Sequence, residues 1–326
     1  MLVYENLYGQ FKLEPVLKEL IDTKPVQRLK KVHQAGACFL INSTWNVTRF
    51  EHSMGVMLLI RKMGGSLEEQ IAGLLHDVGH TAFSHVIDYV LHNEEENYHD
   101  TITNELILSS EIPDILYKYG FSVKTILDTN NWSILEQELP HLCADRIDYT
   151  LRDMHWYQNI SIEEIRSFLN HLSMHHHEIV ISSIEWAEWF TELYYREVVE
   201  FFLHPANVYA NQQLAYTLKI AMEREILNMN DFLFNDFELL KKLKASNDQE
   251  VIKHLSMCYE TNFQTVSQGE PYDFKAVVKP RLIDPKVWYE GRVVRATEIS
   301  NKVRNMSEQA INRMKRGTYV KYLGNL

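Results

Sequence analysis

Ala72–Asp88 reads AGLLHDVGHTAFSHVID. It opens with the apolar run of a buried helix, sets His76 and Asp77 side by side, and adds Gly79, His80, His85 and Asp88 within a few residues. Three histidines and two aspartates in the thirteen residues from His76 do not suit a plain core helix, because buried ionisable groups need partners. Imidazole and carboxylate take the same divalent cations, and a vicinal His-Asp pair can present one of each to a single ion. A lone His-Asp dipeptide arises often by chance, so its weight depends on further ligands along the chain.

Such residues flank it. Upstream, Arg49–Val56 reads RFEHSMGV, begins a predicted helix after the capping residue Thr48, and carries His52. His52 shares a helical face with Val56 and Leu59, where alone it would read as a satisfied core histidine. Beside a His-Asp pair it reads as a ligand. Downstream, Cys143–Tyr149 reads CADRIDY and is followed by Arg152 and Asp153. Asp145, Tyr149 and Asp153 are four residues apart, so one helix face carries a carboxylate, an aromatic ring and a second carboxylate. Asp148 falls off that face and reads as structural.

The order H…HD…D resembles the HD metal-dependent phosphohydrolases. The blocks RFEHSMGV, IAGLLHDVGHTAFSH and ADRIDYTLRD, in that order over about the first 210 residues, are similar to the dNTP triphosphohydrolase branch. That branch hydrolyses dNTPs to deoxynucleoside and inorganic triphosphate. The resemblance implies one divalent cation per site held by His52, His76, Asp77 and Asp145, with manganese, iron, magnesium, nickel and zinc all compatible. It implies His80, His85, Asp88 and His99 as the catalytic group, with His85 as general acid and Asp88 orienting His99. Gln34 would touch the sugar, Tyr149 would pack beside the deoxyribose, and Asp153 would bond its 3′-hydroxyl. Arg49, Arg146 and Arg196 would meet the triphosphate. An activator site for GTP or dGTP would use Asp22, Gln27 and Lys30, although the family carries arginine at the last position and lysine lacks its planar fork. A homo-oligomer, dimer or tetramer, is also implied. His204 stands where the family has a tyrosine beside the base, so base preference does not carry over.

Composition sets the outer bounds. At 326 residues, with 45% hydrophobic residues and only 12 Gly and 8 Pro, the chain suits a large helical core. The three cysteines, Cys38, Cys143 and Cys258, are scattered, which reads as free thiols in a reducing compartment and hence a cytoplasmic location. The first residues lack an apolar signal region, and no run approaches a membrane span. Net charge is −11, which argues against a general nucleic-acid coat, yet residues 275–326 hold twelve Lys/Arg against four Asp/Glu. That basic stretch reads chiefly as a solvated face and gives weak support for nucleic-acid contact.

The expected fold is mainly α: an HD-type helical core over 1–210, and a C-terminal region over 211–326 with helices, a strand pair near Trp288 and Val293, and a basic helix ending before Gly317. Glu94-Glu95-Glu96 reads as a solvated acidic loop. His175-His176-His177 reads as a hairpin turn, since adjacent side chains point apart. Residues 186–213 read as one long aromatic-rich helix. Another HD activity, such as a nucleotide monophosphatase or an alarmone hydrolase, stays open, as does a nucleotide- or nucleic-acid-binding scaffold.

Overall fold

A computed structural model describes residues 2–324. Met1, and Asn325 and Leu326 at the end of the expected C-terminal region, lie outside the described residues. The fold is mainly α, as expected: among the described residues sixteen α-helices are joined by short 3₁₀ and π turns and accompanied by three small sheets. Among the described residues no helix is long and apolar enough to cross a membrane.

The central layer is built from helices Arg49–Lys62, Leu67–Leu75 and Ala144–Gln158. Thr48 starts the first through a capping box, in which its hydroxyl accepts from the Glu51 N–H and Glu51 accepts from the Thr48 N–H. Gly64 at φ 82° lets the chain turn back, and Ser66 caps Leu67–Leu75 by accepting from the Glu69 N–H. That helix ends at Leu75. His76 and His80, four residues apart, would share a face only if the helix continued, and it does not: residues 76–85 form a run of turns in which Phe83 and Ser84 adopt positive φ. This strained stretch is held from outside. The N–H of Phe83 donates to Asp236 Oδ1 (2.6 Å), and the N–H of Ala82 donates to the Phe232 carbonyl (2.9 Å).

The expected long helix over 186–213 is two helices, Ile184–Tyr195 and Pro205–Glu223, separated by a π-helical turn over Arg196–Phe201. Pro205 supplies no N–H and its ring excludes the carbonyl four residues back, so a new helix begins there, capped by His204 Nδ1. The triple histidine is a hairpin turn, with His176 and His177 at positive φ between strands Leu172–His175 and Glu178–Ile181. Strand Lys286–Tyr289 adds in parallel to Glu178–Ile181 and pairs antiparallel with Arg292–Arg295, where the strand pair was expected. Helix Asn301–Arg316 ends at Gly317.

The proposed boundary after residue 210 falls inside helix Pro205–Glu223. One buried apolar cluster runs from Leu7 in the N-terminal hairpin through the central helices to Val287, Val303 and Met314, and a second lies beneath Pro205–Glu223 against Phe83 and Val86.

Candidate active site and metal centre

The four residues expected to ligate a cation converge from three segments. Asp145 Oδ1 lies 2.9 Å from His52 Nε2 and 3.6 Å from His76 Nε2. Asp77 Oδ1 lies 3.4 Å from His76 Nε2, and Asp77 Oδ2 lies 3.8 Å from His52 Nε2. Atoms that each sit ~2.0–2.2 Å from one ion lie about 3–3.5 Å apart, and the spacings here run from 2.9 to 3.8 Å. Orientation agrees. The Nδ1 of His52 is bonded to Asp148 (2.8 Å) and that of His76 to the Gly73 carbonyl (2.7 Å), so each ring turns Nε2 inward as metal-bound imidazoles do. His76 Nε2 is buried with no hydrogen-bond partner, an orphan that a cation would satisfy. The residues fit a divalent metal ion.

Electrostatics follow from this crowding. Burial disfavours charge on Asp77, but His76, Arg49 and His80 outweigh it and hold the carboxyl well below its usual range. Burial likewise opposes charge on His52, yet hydrogen bonds to Asp145 and Asp148 raise it to about 10. With both carboxylates ionised, the cluster favours any cation, proton or metal, at its centre.

A second group lies beside the first. The rings of His80 and His99 stack at 3.9 Å, and His85 meets them edge-on at 4.9 and 5.2 Å. His80 Nε2 is 3.2 Å from Asp77 Oδ1, which links the two groups. Burial and neighbouring cations push the His80 imidazole well below its ordinary value, and burial with the His85 charge takes His99 to about 3. Both are neutral near pH 7. Gly79 makes this packing possible, because a Cβ there would overlap Thr103 and the His99 carbonyl. Asp88 does not orient His99, as the resemblance implied. Its Oδ2 lies 3.1 Å from His85 Nδ1, while Oδ1 accepts from Asn93 and the Tyr98 N–H; His99 Nε2 instead faces Asp100 at 3.3 Å.

These groups line a cavity of about 710 Å³. Gln34, Arg49, Tyr149 and Asp153 line it too, with Gln34 Nε2 donating to Asp153 (3.2 Å). Arg49 is buried and already bonds Asp77 (2.9 Å) and Ser84 (2.9 Å). Arg146 and Arg196 do not line the cavity. Arg146 is spent on wall contacts to His141, Cys143, Glu136 and Gln137 because Cys143 and Ala144 begin the helix beneath it. Arg196, at the start of the π turn, donates to Gln158 Oε1 (3.0 Å).

The three activator positions lie off the cavity. Asp22 is exposed at the end of helix Pro15–Ile21, Gln27 donates to the Ile21 carbonyl, and Lys30 lies over the Phe50 ring. His204 is the helix cap already described.

Several residues were not legible in advance. Asp148, read only as structural, bonds the ligand His52 and is itself held by Arg152 and the Tyr8 hydroxyl; its i,i+4 spacing to Arg152 was the available signal. Glu136 lines the cavity with its side chain about half exposed and accepts from Arg146 (3.3 Å). Glu197 is fully buried against Asp153, and neither of its oxygens finds an ordinary hydrogen bond. Arg281 reaches the cavity from the C-terminal region. No local pattern announces these three.

Residues 49–165 match the HD domain family. An uncharacterized Bacillus subtilis protein, YdhJ, is 48% identical over 99% of both chains. The metal-dependent phosphohydrolase cns2 of Cordyceps militaris is 29% identical over 89% of this chain and 86% of its own. The deoxynucleoside triphosphate triphosphohydrolase SAMHD1 of Gallus gallus is 32% identical over 36% of this chain and 23% of its own. A solved phosphohydrolase from Bacteroides thetaiotaomicron shares the fold at TM-score 0.71 and 17% identity, covering 100% of each chain. Residues 49–165 thus carry the HD domain, and over nearly its whole length the chain belongs to one family with YdhJ.

Proposed function

We propose that the protein hydrolyses deoxynucleoside triphosphates to deoxynucleoside and inorganic triphosphate. The observation that carries this reading is one helix, Ala144–Gln158, which lines a single cavity with the ligand Asp145, the ring of Tyr149 and the carboxyl of Asp153. Successive positions four residues apart rise ~6 Å, about the step from an α-phosphate to a deoxyribose. The SAMHD1 match supports the same substrate class over the part of the chain that it covers.

His52, His76, Asp77 and Asp145 would hold the cation. When bound, it supplies Lewis-acid polarisation of phosphate oxygens and a lowered pKa for water. The chain's own groups do the rest. Water adds to the α-phosphorus and releases a proton, the bond to the 5′-oxygen breaks, and that oxygen takes up a proton. His85 is the donor: Asp88 holds its Nδ1, and the imidazole is partly open to the cavity. Asp88 also stabilises the protonated imidazole before transfer, as a buried carboxylate does in other acid–base pairs. His80 and His99, neutral and stacked, accept hydrogen bonds without adding positive charge. Gln34 and Asp153 would hold the sugar, and Tyr149 would cover its apolar face.

The test is product analysis by anion exchange, with metal-loaded protein and each dNTP, alone and with GTP or dGTP. Deoxynucleoside with intact triphosphate is the expected result; orthophosphate or pyrophosphate as sole product would refute it. Stimulation by GTP would support an activator site at Asp22, Gln27 and Lys30, and sedimentation with and without GTP would test the proposed dimer or tetramer. The longer match, to the metal-dependent phosphohydrolase cns2, supports only the broader class, within which hydrolysis of a nucleoside monophosphate or an alarmone is the alternative.

A further inference from the structure

A phosphate chain is a concentrated polyanion, and a cavity that takes it needs guanidinium or ammonium groups facing inward. Of the three arginines implied by resemblance, Arg146 and Arg196 do not line the cavity, and Arg49 is bonded to Asp77 and Ser84. Arg281 does line it. Its Nη2 lies 2.7 Å from the Glu96 carboxylate, each side chain about a third exposed, and its guanidinium sits 5.8 Å from the centre of the Phe202 ring. Next to it, Lys279 pairs with Glu95 at 2.7 Å. The acidic loop is thus not a free solvated one: Glu95 and Glu96 both line the cavity mouth, on the turn that leads into the helix bearing His99. Glu96 holds φ 55°, a conformation that residues with a Cβ rarely adopt.

Carboxylates at the mouth would repel a substrate phosphate if they stayed ionised and unmoved. A guanidinium, however, accepts a carboxylate or a phosphate in the same planar fork. We propose that Arg281 is a phosphate-binding residue of this cavity, and that Glu96 occupies its guanidinium as a stand-in until a phosphorylated ligand displaces it. A partly exposed ion pair is a weak bond in water, so a polyphosphate can compete for the arginine. Phe202 keeps the guanidinium in place when Glu96 leaves. The inference rests on the phosphohydrolase reading for a phosphate ligand, and not on the sugar or base.

The two partners give opposite signatures. Isothermal titration calorimetry with inorganic tripolyphosphate, on the full-length metal-free protein, measures them directly. Arg281→Ala is expected to weaken binding at least tenfold, Arg281→Lys to recover only part of that loss, and Glu96→Gln to tighten binding severalfold. A structural ion pair predicts instead that both partners' variants weaken binding alike, and that result overturns the proposal. Wild-type affinity in Arg281→Ala, or no binding by the wild type, overturns it as well. Each variant's unfolding midpoint is measured alongside, and the conservative Arg281→Lys and Glu96→Gln keep the comparison valid should Arg281→Ala misfold. Because tripolyphosphate has neither sugar nor base, these outcomes stand apart from the dNTP product analysis.

Discussion

At the scale of single residues, the site is an arrangement of charges that only a cation or a proton can reconcile. Asp145→Ala removes an oxygen that approaches both ligand histidines, so metal content and activity should vanish together; a variant with normal metal content and full activity would remove Asp145 from the centre. Asp148→Asn leaves the four ligands in place but no longer accepts both the His52 and Arg152 hydrogen bonds as a carboxylate. Loss of such an outer partner typically lowers metal affinity ~10–100-fold, which competition with a chromophoric chelator would read. The Asp153–Glu197 pair titrates in the opposite sense from a salt bridge. Burial raises Asp153 to about 7, against the lowering effects of His52, Arg152 and Arg49, and burial with the Asp153 charge raises Glu197 well above its ordinary range. The folded state therefore keeps protons that the unfolded chain has released above pH ~4, and the pair's contribution is lost as pH rises through about 7. Urea unfolding from pH 4 to 8 should show Glu197→Gln gaining on the wild type as pH rises. A pH-independent difference between them would mean that the pair does not titrate in the folded protein.

At the scale of elements, the HD segment works as a strained turn clamped from both sides. The motif's residue types were legible, because His, Asp and Gly at such density have few structural uses. Its conformation was not, because the clamp comes from Asp236, about 150 residues away, which also accepts from the N–H and Nδ1 of His33. A propensity reading extends the helix through His76, and tertiary hydrogen bonds end it at Leu75. The same logic split the long aromatic helix, where Pro205 was visible in the sequence and the π turn was not. Gly79→Ala tests the contact between elements. The added methyl would collide with Thr103 and the His99 carbonyl, and overpacking of this kind costs about 1–3 kcal/mol. Activity should fall further than stability does, since His99 is pushed from His80; equal activity with only lowered stability would show that the stack is dispensable. Thr48→Ala is the milder case, expected to cost ~1 kcal/mol through loss of the helix cap without moving His52.

At the scale of the molecule, the C-terminal region is part of the same body as the HD core. Ile283, Val287, Val303 and Met314 are buried in the cluster that also holds Leu151 and Phe190, and the parallel pairing of Val180 with Lys286 ties one sheet across the chain. Met314→Ala should destabilise by about 2–5 kcal/mol. Tryptophan fluorescence and far-ultraviolet circular dichroism should then report one coincident urea transition, whereas two separated transitions would restore a division near residue 210. By itself the sequence determined the helical class, the set of four residues that converge as candidate metal ligands and the helix face that joins Asp145 to Asp153, because side-chain chemistry and helical spacing are local properties. Only the tertiary structure decided which carboxylate serves which histidine, which arginines reach the cavity, that Arg281 lines it and that Asp236 holds the turn behind it. Most of those depend on contacts between residues about a hundred or more positions apart, where the geometry of packing and the cost of an unpaired buried charge select partners that no local pattern specifies.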